Sequence, residues 1–140
     1  MRQLNHILFV CADPVFIEKM STAFADKQYR FCVHHDEASR LLAEGYVPDL
    51  LVVDLVLPQL TGPETLDALQ QKLHPQVVPG IITTSNDRLV LYSLPRAPEL
   101  LGVVSKRGDE AILYERIKKI WDEYQALLVD GEPEKTSIFI

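Results

Sequence analysis

The run from Asp49 to Pro58 (Asp-Leu-Leu-Val-Val-Asp-Leu-Val-Leu-Pro) restricts the fold more than any other part of the chain. Leu50 to Val53 and Leu55 surround one carboxylate, Asp54, with unbroken apolar sequence. A strand with one wet face alternates apolar and polar residues, whereas a strand covered on both faces does not. The run therefore belongs in the middle of a parallel sheet. Pro58 has no N–H to give a neighbour and a fixed φ, so the strand ends before it. Asp54 then stands at the carboxyl end of a central strand. In open α/β sheets that edge is where ligands and chemistry collect. Asp54 is read as functional, with capping or bracing of the following loop as the structural alternative.

The rest of the chain supplies partners for that strand. His6 to Cys11 is a second buried strand candidate. Asp13 offers a side-chain cap after it, and Pro14 is suited to a first helical position. Phe16, Met20, Ala23 and Phe24 then recur on one helical face. Tyr29 to His34 reads as a strand. Asp36 is expected to cap a helix with Ala38, Leu41 and Leu42 inward, stopped at Gly45. After the central run, Gly62-Pro63 opens a helix with Leu66, Leu69 and Leu73 as its stripe. Val77 to Thr84 is a strand, 87–94 a short helix broken by Pro95 and Pro98, Leu101 to Ser105 a strand, and Asp109 to Leu128 a long final helix.

Strict alternation of five strands with five helices predicts one five-stranded parallel sheet, order 2-1-3-4-5, with helices on both faces, the flavodoxin-like arrangement. Residues 1–128 form this domain and 129–140 a C-terminal tail. The tail is read as frayed, with the alternative that Ile138-Phe139-Ile140 adds a strand or plug to a neighbour.

Composition narrows the function. A net charge of −6 argues against a nucleic-acid-binding module. The local basic cluster Arg116, Lys118 and Lys119 is read as a solvated helix face. No apolar run reaches the ~18 residues of a membrane span, and no signal-peptide core precedes Asp13. Cys11 and Cys32 offer neither a disulfide framework nor a Cys-x-x-Cys site, so both read as small core residues in a reducing, cytoplasmic setting.

In the expected fold the strand ends Cys11-Ala12-Asp13, Asp54, Thr83-Thr84-Ser85 and Ser105-Lys106 meet at one rim. A carboxylate nucleophile, a hydroxyl donor and an ammonium suit a phosphoryl group. From about Ile7 to Leu128 these residues resemble the receiver domain of two-component response regulators. Asp49 to Gly62 looks like the family's phosphoacceptor strand and loop, Ile81-Ile82-Thr83-Thr84-Ser85 like its fourth-strand motif, and Val103-Val104-Ser105-Lys106 like its fifth. The resemblance places Asp54 at the phosphoacceptor, Thr84 at the switch hydroxyl and Lys106 at the invariant lysine. The intervals, 84 − 54 = 30 and 106 − 84 = 22, are those of the family.

The departures matter as much. Receivers carry an acidic pair directly after strand one that holds magnesium together with the phosphoacceptor. That pair falls here on Cys11 and Ala12, with Asp13 one place later as a weak candidate ligand. A thiol and a methyl offer little to a hard cation. Magnesium binding is therefore expected to be weak or absent, no other cofactor is expected, and phosphoryl transfer should be slowed by orders of magnitude. The switch aromatic of strand five falls on Val103, which is too short and stiff for that role. Arg107 replaces the proline after the lysine, and a non-proline cis bond costs about 2.5–4 kcal/mol, so the Lys106–Arg107 bond should be trans. With two acids gone, Lys106 is expected to pair with Asp54 alone.

Partners are expected to be proteins: a histidine kinase, an output protein, or a second copy. The surface would be the family's face of fourth helix, fifth strand and fifth helix, where Tyr92, Tyr114 and Trp121 are candidate contacts. Nucleic acid and membrane are not expected. The leading reading is a non-enzymatic, metal-degenerate receiver that signals by protein contact. The alternatives are a working phosphoreceiver, phosphorylated at Asp54 by a histidine kinase, and a flavin or nucleotide enzyme on the same fold. The last lacks a Gly-rich phosphate loop after strand one.

Overall fold

The computed structural model describes residues 3–85 and 100–130, with the backbone of 138 and 139. At its centre lies β3 (Leu50–Asp54), every residue of which is buried. Each fully buried aliphatic side chain contributes roughly 1.5–3 kcal/mol, so four in succession carry the one carboxylate that ends the strand. β1 (His6–Val10) and β4 (Gly80–Thr84) flank it, and β2 (Gln28–Cys32) and β5 (Leu100–Ser105) lie outside them. All pair in parallel, in the order 2-1-3-4-5 that the alternation predicts.

Alternation along the strands divides the interior in two. Ile7, Phe9, Val52, Ile81 and Val104 face α1 (Pro14–Ala23) and the final helix, α4 (Glu110–Asp130). Leu8, Val10, Leu51, Val53, Ile82 and Val103 face α2 (His35–Ala43) and α3 (Gly62–Leu73). Among the described residues no helix is long and apolar enough to cross a membrane.

Local chemistry sets the boundaries. Asp13 caps α1, accepting from the Val15 and Phe16 N–H groups at 3.1 and 3.4 Å. α2 begins two residues earlier than expected: His34 occupies its cap position without a side-chain bond, and Asp36 lies inside the first turn. There its charge still suits the helix dipole. Gly45 stops α2 with φ 101°, its N–H reaching the Leu42 carbonyl at 3.1 Å while Tyr46 N–H reaches Leu41. Thr61 caps α3 through a reciprocal pair with Glu64. β4 starts at Gly80 rather than Val77. Pro79 just before it has no N–H, though its carbonyl accepts from Leu51 at 2.9 Å.

Two expectations about the C-terminal third change. A sixth strand, β6 (Ile138–Phe139), pairs in parallel with β5, Gly102 opposite Ile138 and Val103 opposite Phe139. The tail thus returns to its own sheet. Trp121, expected at a partner surface, is 2% exposed and packs in the core beside Tyr124. Tyr114 is half-buried, its ring 5.0 Å from Phe24. Both rings belong to the core on this side of the sheet, which widens the helix's apolar arc beyond one stripe. Tyr92 and the expected short helix at 87–94 lie outside the described residues.

Candidate functional site

Asp54 ends β3 with its side chain 6% exposed, and three groups converge on it. Lys106 Nζ stands 2.7 Å from the carboxylate. The Thr83 hydroxyl donates to Oδ1 at 2.7 Å. The Cys11 thiol donates to Oδ2 at 3.3 Å. Asp13 completes the group from the far side of the ammonium, its Oδ2 3.3 Å from Lys106 Nζ. The ring of Phe16, in the first turn of α1, lies 4.9 Å below the same cation.

The backbone fixes these positions. Gly62 N–H donates to the Leu55 carbonyl at 2.8 Å, folding the loop after β3 back on the strand. A Cβ at Gly62 would lie 2.5 Å from the Asp54 carbonyl oxygen, so no other residue fits that approach. The loop that carries Lys106 is held by cations from two helices. Lys19 of α1 donates to the Gly108 carbonyl at 3.0 Å. Arg116 of α4 donates to the Ser105 carbonyl at 3.0 Å and to that of Arg107. Arg116 is therefore not part of a solvated face, although Lys118 is, paired with Asp122 at 2.6 Å. Among the described residues His74–Pro75 is the cis bond, and Lys106–Arg107 is trans.

Electrostatics follow from this crowding. Burial, and then the Asp54 charge, push the Cys11 thiol from an ordinary 9.0 up to about 12, so it stays protonated. Burial pulls on the Lys106 ammonium in the unfavourable direction. The hydrogen bond and charge of Asp54 outweigh it and leave the group above the usual lysine range. Asp13 is held below the usual carboxylate range: the Phe16 N–H and the Lys106 charge together outweigh its slight burial.

Of the residues expected at the rim, Asp54, Lys106, Cys11 and Asp13 come together. Lys106 is not in a one-to-one pair, since Asp13 shares it. The hydroxyl on Asp54 comes from Thr83, not from Thr84. Asp54 stands opposite Thr83 in the register, and paired residues of neighbouring strands project to one face. Thr84, one place on, pairs with Ser105 and lies on the other side by alternation, its carbonyl accepting from Lys106 N–H at 2.9 Å. β3 and β4 are buried at every position and carry no alternation, so the sequence alone does not separate Thr83 from Thr84. Nothing in the sequence alone brings Phe16, Lys19 or Arg116 to this rim. Val103 is buried in the α2/α3 side of the core.

No protein-family model and no curated protein matches the chain. Solved structures do. A receiver domain protein from Methanospirillum hungatei JF-1 superposes with a TM-score of 0.68 at 22% identity, over 92% of this chain and 100% of its own. The N-terminal domain of a response regulator/sensory box/GGDEF protein from Carboxydothermus hydrogenoformans gives 0.68 at 20% identity, over 89% of this chain and 99% of its own. The receiver domain of an HD domain-containing protein from Pseudomonas fluorescens Pf-5 gives 0.70 at 20% identity over the same shares, 89% and 99%. With its sheet order, its helices on both faces and a carboxylate–ammonium pair at the carboxyl rim, this chain has the fold of a response-regulator receiver domain.

Proposed function

We propose that this protein is a receiver domain that works without a divalent cation, taking part in two-component signalling by protein–protein contact with phosphoryl transfer at Asp54 weak or absent. The observation that carries this reading is at Cys11, whose protonated thiol donates to Asp54 Oδ2 at 3.3 Å where a receiver would set a metal-binding carboxylate. Lys106, 2.7 Å from Asp54 and 3.3 Å from Asp13, is then the cation that faces both carboxylates.

The donor set supports the same reading. Magnesium takes six hard oxygen donors in a near-octahedral shell. This rim offers two carboxylates, both turned to Lys106, and a thiol that stays protonated. A neutral sulfur is a poor ligand for a hard cation, and Ala12 beside it offers none. These residues do not fit magnesium.

A second reading keeps some support: Asp54 as a phosphoacceptor for a histidine kinase, with Lys106 and a threonine hydroxyl already on its oxygens. The two readings separate in one experiment. Amide spectra are recorded while magnesium and then beryllofluoride are added, followed by labelling with a small phosphodonor. The proposal expects no shifts near Asp54, Thr83 and Thr84 and no label. Magnesium-dependent label that disappears in Asp54→Asn would establish the second reading. A kinase, an output protein or a second copy remains the class of partner, in the cytoplasm, with no reaction catalysed.

A further inference from the structure

β5 would be the bare edge of a five-stranded sheet, and an unpaired edge is a template for another strand. Here it is covered for two residues, Ile138 and Phe139, aligned with Gly102 and Val103. We propose that the β5 edge is a strand-docking site and that its partner in trans is the Ile138–Phe139 segment of a second copy, exchanged between chains. This deepens the protein-contact reading by naming the partner, and it does not depend on the rim chemistry.

Three observations carry it. The contact is short, two residues where strands usually run 3–10, so it holds the segment lightly. The same residues would make the same pairing in cis or in trans, which is the condition under which exchange is easy. The connecting residues 131–137 (Gly-Glu-Pro-Glu-Lys-Thr-Ser) are polar and contain both glycine and proline, a composition that has no core of its own to join. Beside this connection, the last turns of α4 leave Leu127 and Leu128 42% and 49% exposed. Leu127 continues the spacing of the helix's inward stripe, yet it stays exposed. At 21 residues α4 is about 31 Å long. Gly102 lies only about 10 Å below the end of β5 where that helix begins its descent. The two leucines thus form an exposed apolar end that a neighbouring copy can cover.

The geometry also supplies the test. From Asp130 the chain must climb roughly 20 Å back to the level of Gly102, by the same estimate. Eight Cα steps reach about 28 Å at most, and three reach about 11 Å. Deleting residues 132–136 leaves three steps, so the tail of the full chain cannot return to its own β5. The expected result is a dimer by light scattering that reverts to monomer when Phe139→Pro is added, because proline cannot join the ladder. A monomer, or a dimer indifferent to Phe139→Pro, overturns the proposal. Should the deletion fail to fold, the full-length Phe139→Pro chain is titrated with a synthetic peptide of residues 134–140. Slowed exchange of the β5 amides, absent with a peptide carrying the same proline, supports trans docking; unchanged exchange refutes it. Neither readout involves metal or phosphate, so failure here leaves the test of the rim untouched.

Discussion

Removing the Lys106 ammonium should be among the most damaging single changes in this protein. Asp54 is buried, and a thiol and one hydroxyl cannot replace a full countercharge. Breaking a buried pair from one side costs about 3–5 kcal/mol, whereas replacing both members by apolar residues is often nearly neutral. Lys106→Met is therefore expected to lower the stability measured by urea unfolding by that amount, and Asp54→Leu with Lys106→Met to recover most of it. Protons at the rim predict the pH profile. The folded pKa values of Cys11 and Lys106 lie above their unfolded values of 9.0 and 10.5. Their contributions are complete below those values and fade as pH rises through the folded ones. Stability should fall from about pH 9 upward, by about 1.4 kcal/mol per pH unit for each group in its window. Asp13, shifted the other way, loses its contribution only as pH falls below 3.8. The same burial keeps the thiols inert: at pH 8 neither Cys11 nor Cys32 should react with a disulfide reagent until urea unfolds the chain. Conversely, Cys11→Asp with Ala12→Asp restores hard ligands beside Asp54. Manganese should then broaden the amide signals around Asp54, which it should leave sharp in the natural chain.

At the level of elements, the sequence was most readable where one force dominates. The apolar run of β3, the caps at Asp13 and Pro14 and the stop at Gly45 each follow from a local rule, and each stands where that rule puts it. Readings failed where two elements had to be placed together first. Trp121 and Tyr114 look like surface aromatics on a helix drawn alone; only the packing of α4 into the core buries Trp121 and sets Tyr114 against Phe24. Thr83 and Thr84 are interchangeable in a motif, and the register of β4 against β3 separates them. β6 is two residues long, too short to show any period of its own. Two substitutions check these placements. Trp121→Ala should destabilise by about 3–5 kcal/mol, as for a core aromatic, where a surface contact would change little. Gly62→Ala must move the loop off the Asp54 backbone, so it should shift the Asp54 and Leu55 amide signals as well as lower stability.

For the whole molecule, the proposed metal-free rim predicts folding that is not linked to divalent cations. A ligand bound only by the folded state stabilises it by RT ln(1 + [L]/Kd), so a receiver with a Kd of about 1 mM gains about 1.4 kcal/mol in 10 mM magnesium. For a chain of this size that is a rise of several degrees in the unfolding midpoint, on the order of 3–6 °C. The midpoint of this protein should move by less than about 1 °C on adding magnesium or a chelator. The overall fold was legible because alternation of strand and helix with short connections leaves few topologies; which side chains would touch at the rim was not, because four strand ends far apart in sequence build it. The loop after β5 has a mechanical consequence. Its carbonyls are gripped by Lys19 from α1 and by Arg116 from α4, two neighbours in one layer. A protein that wedges those helices apart would tug on the segment bearing Lys106 from both directions at once, and so would be felt at Asp54 without ever reaching the pocket.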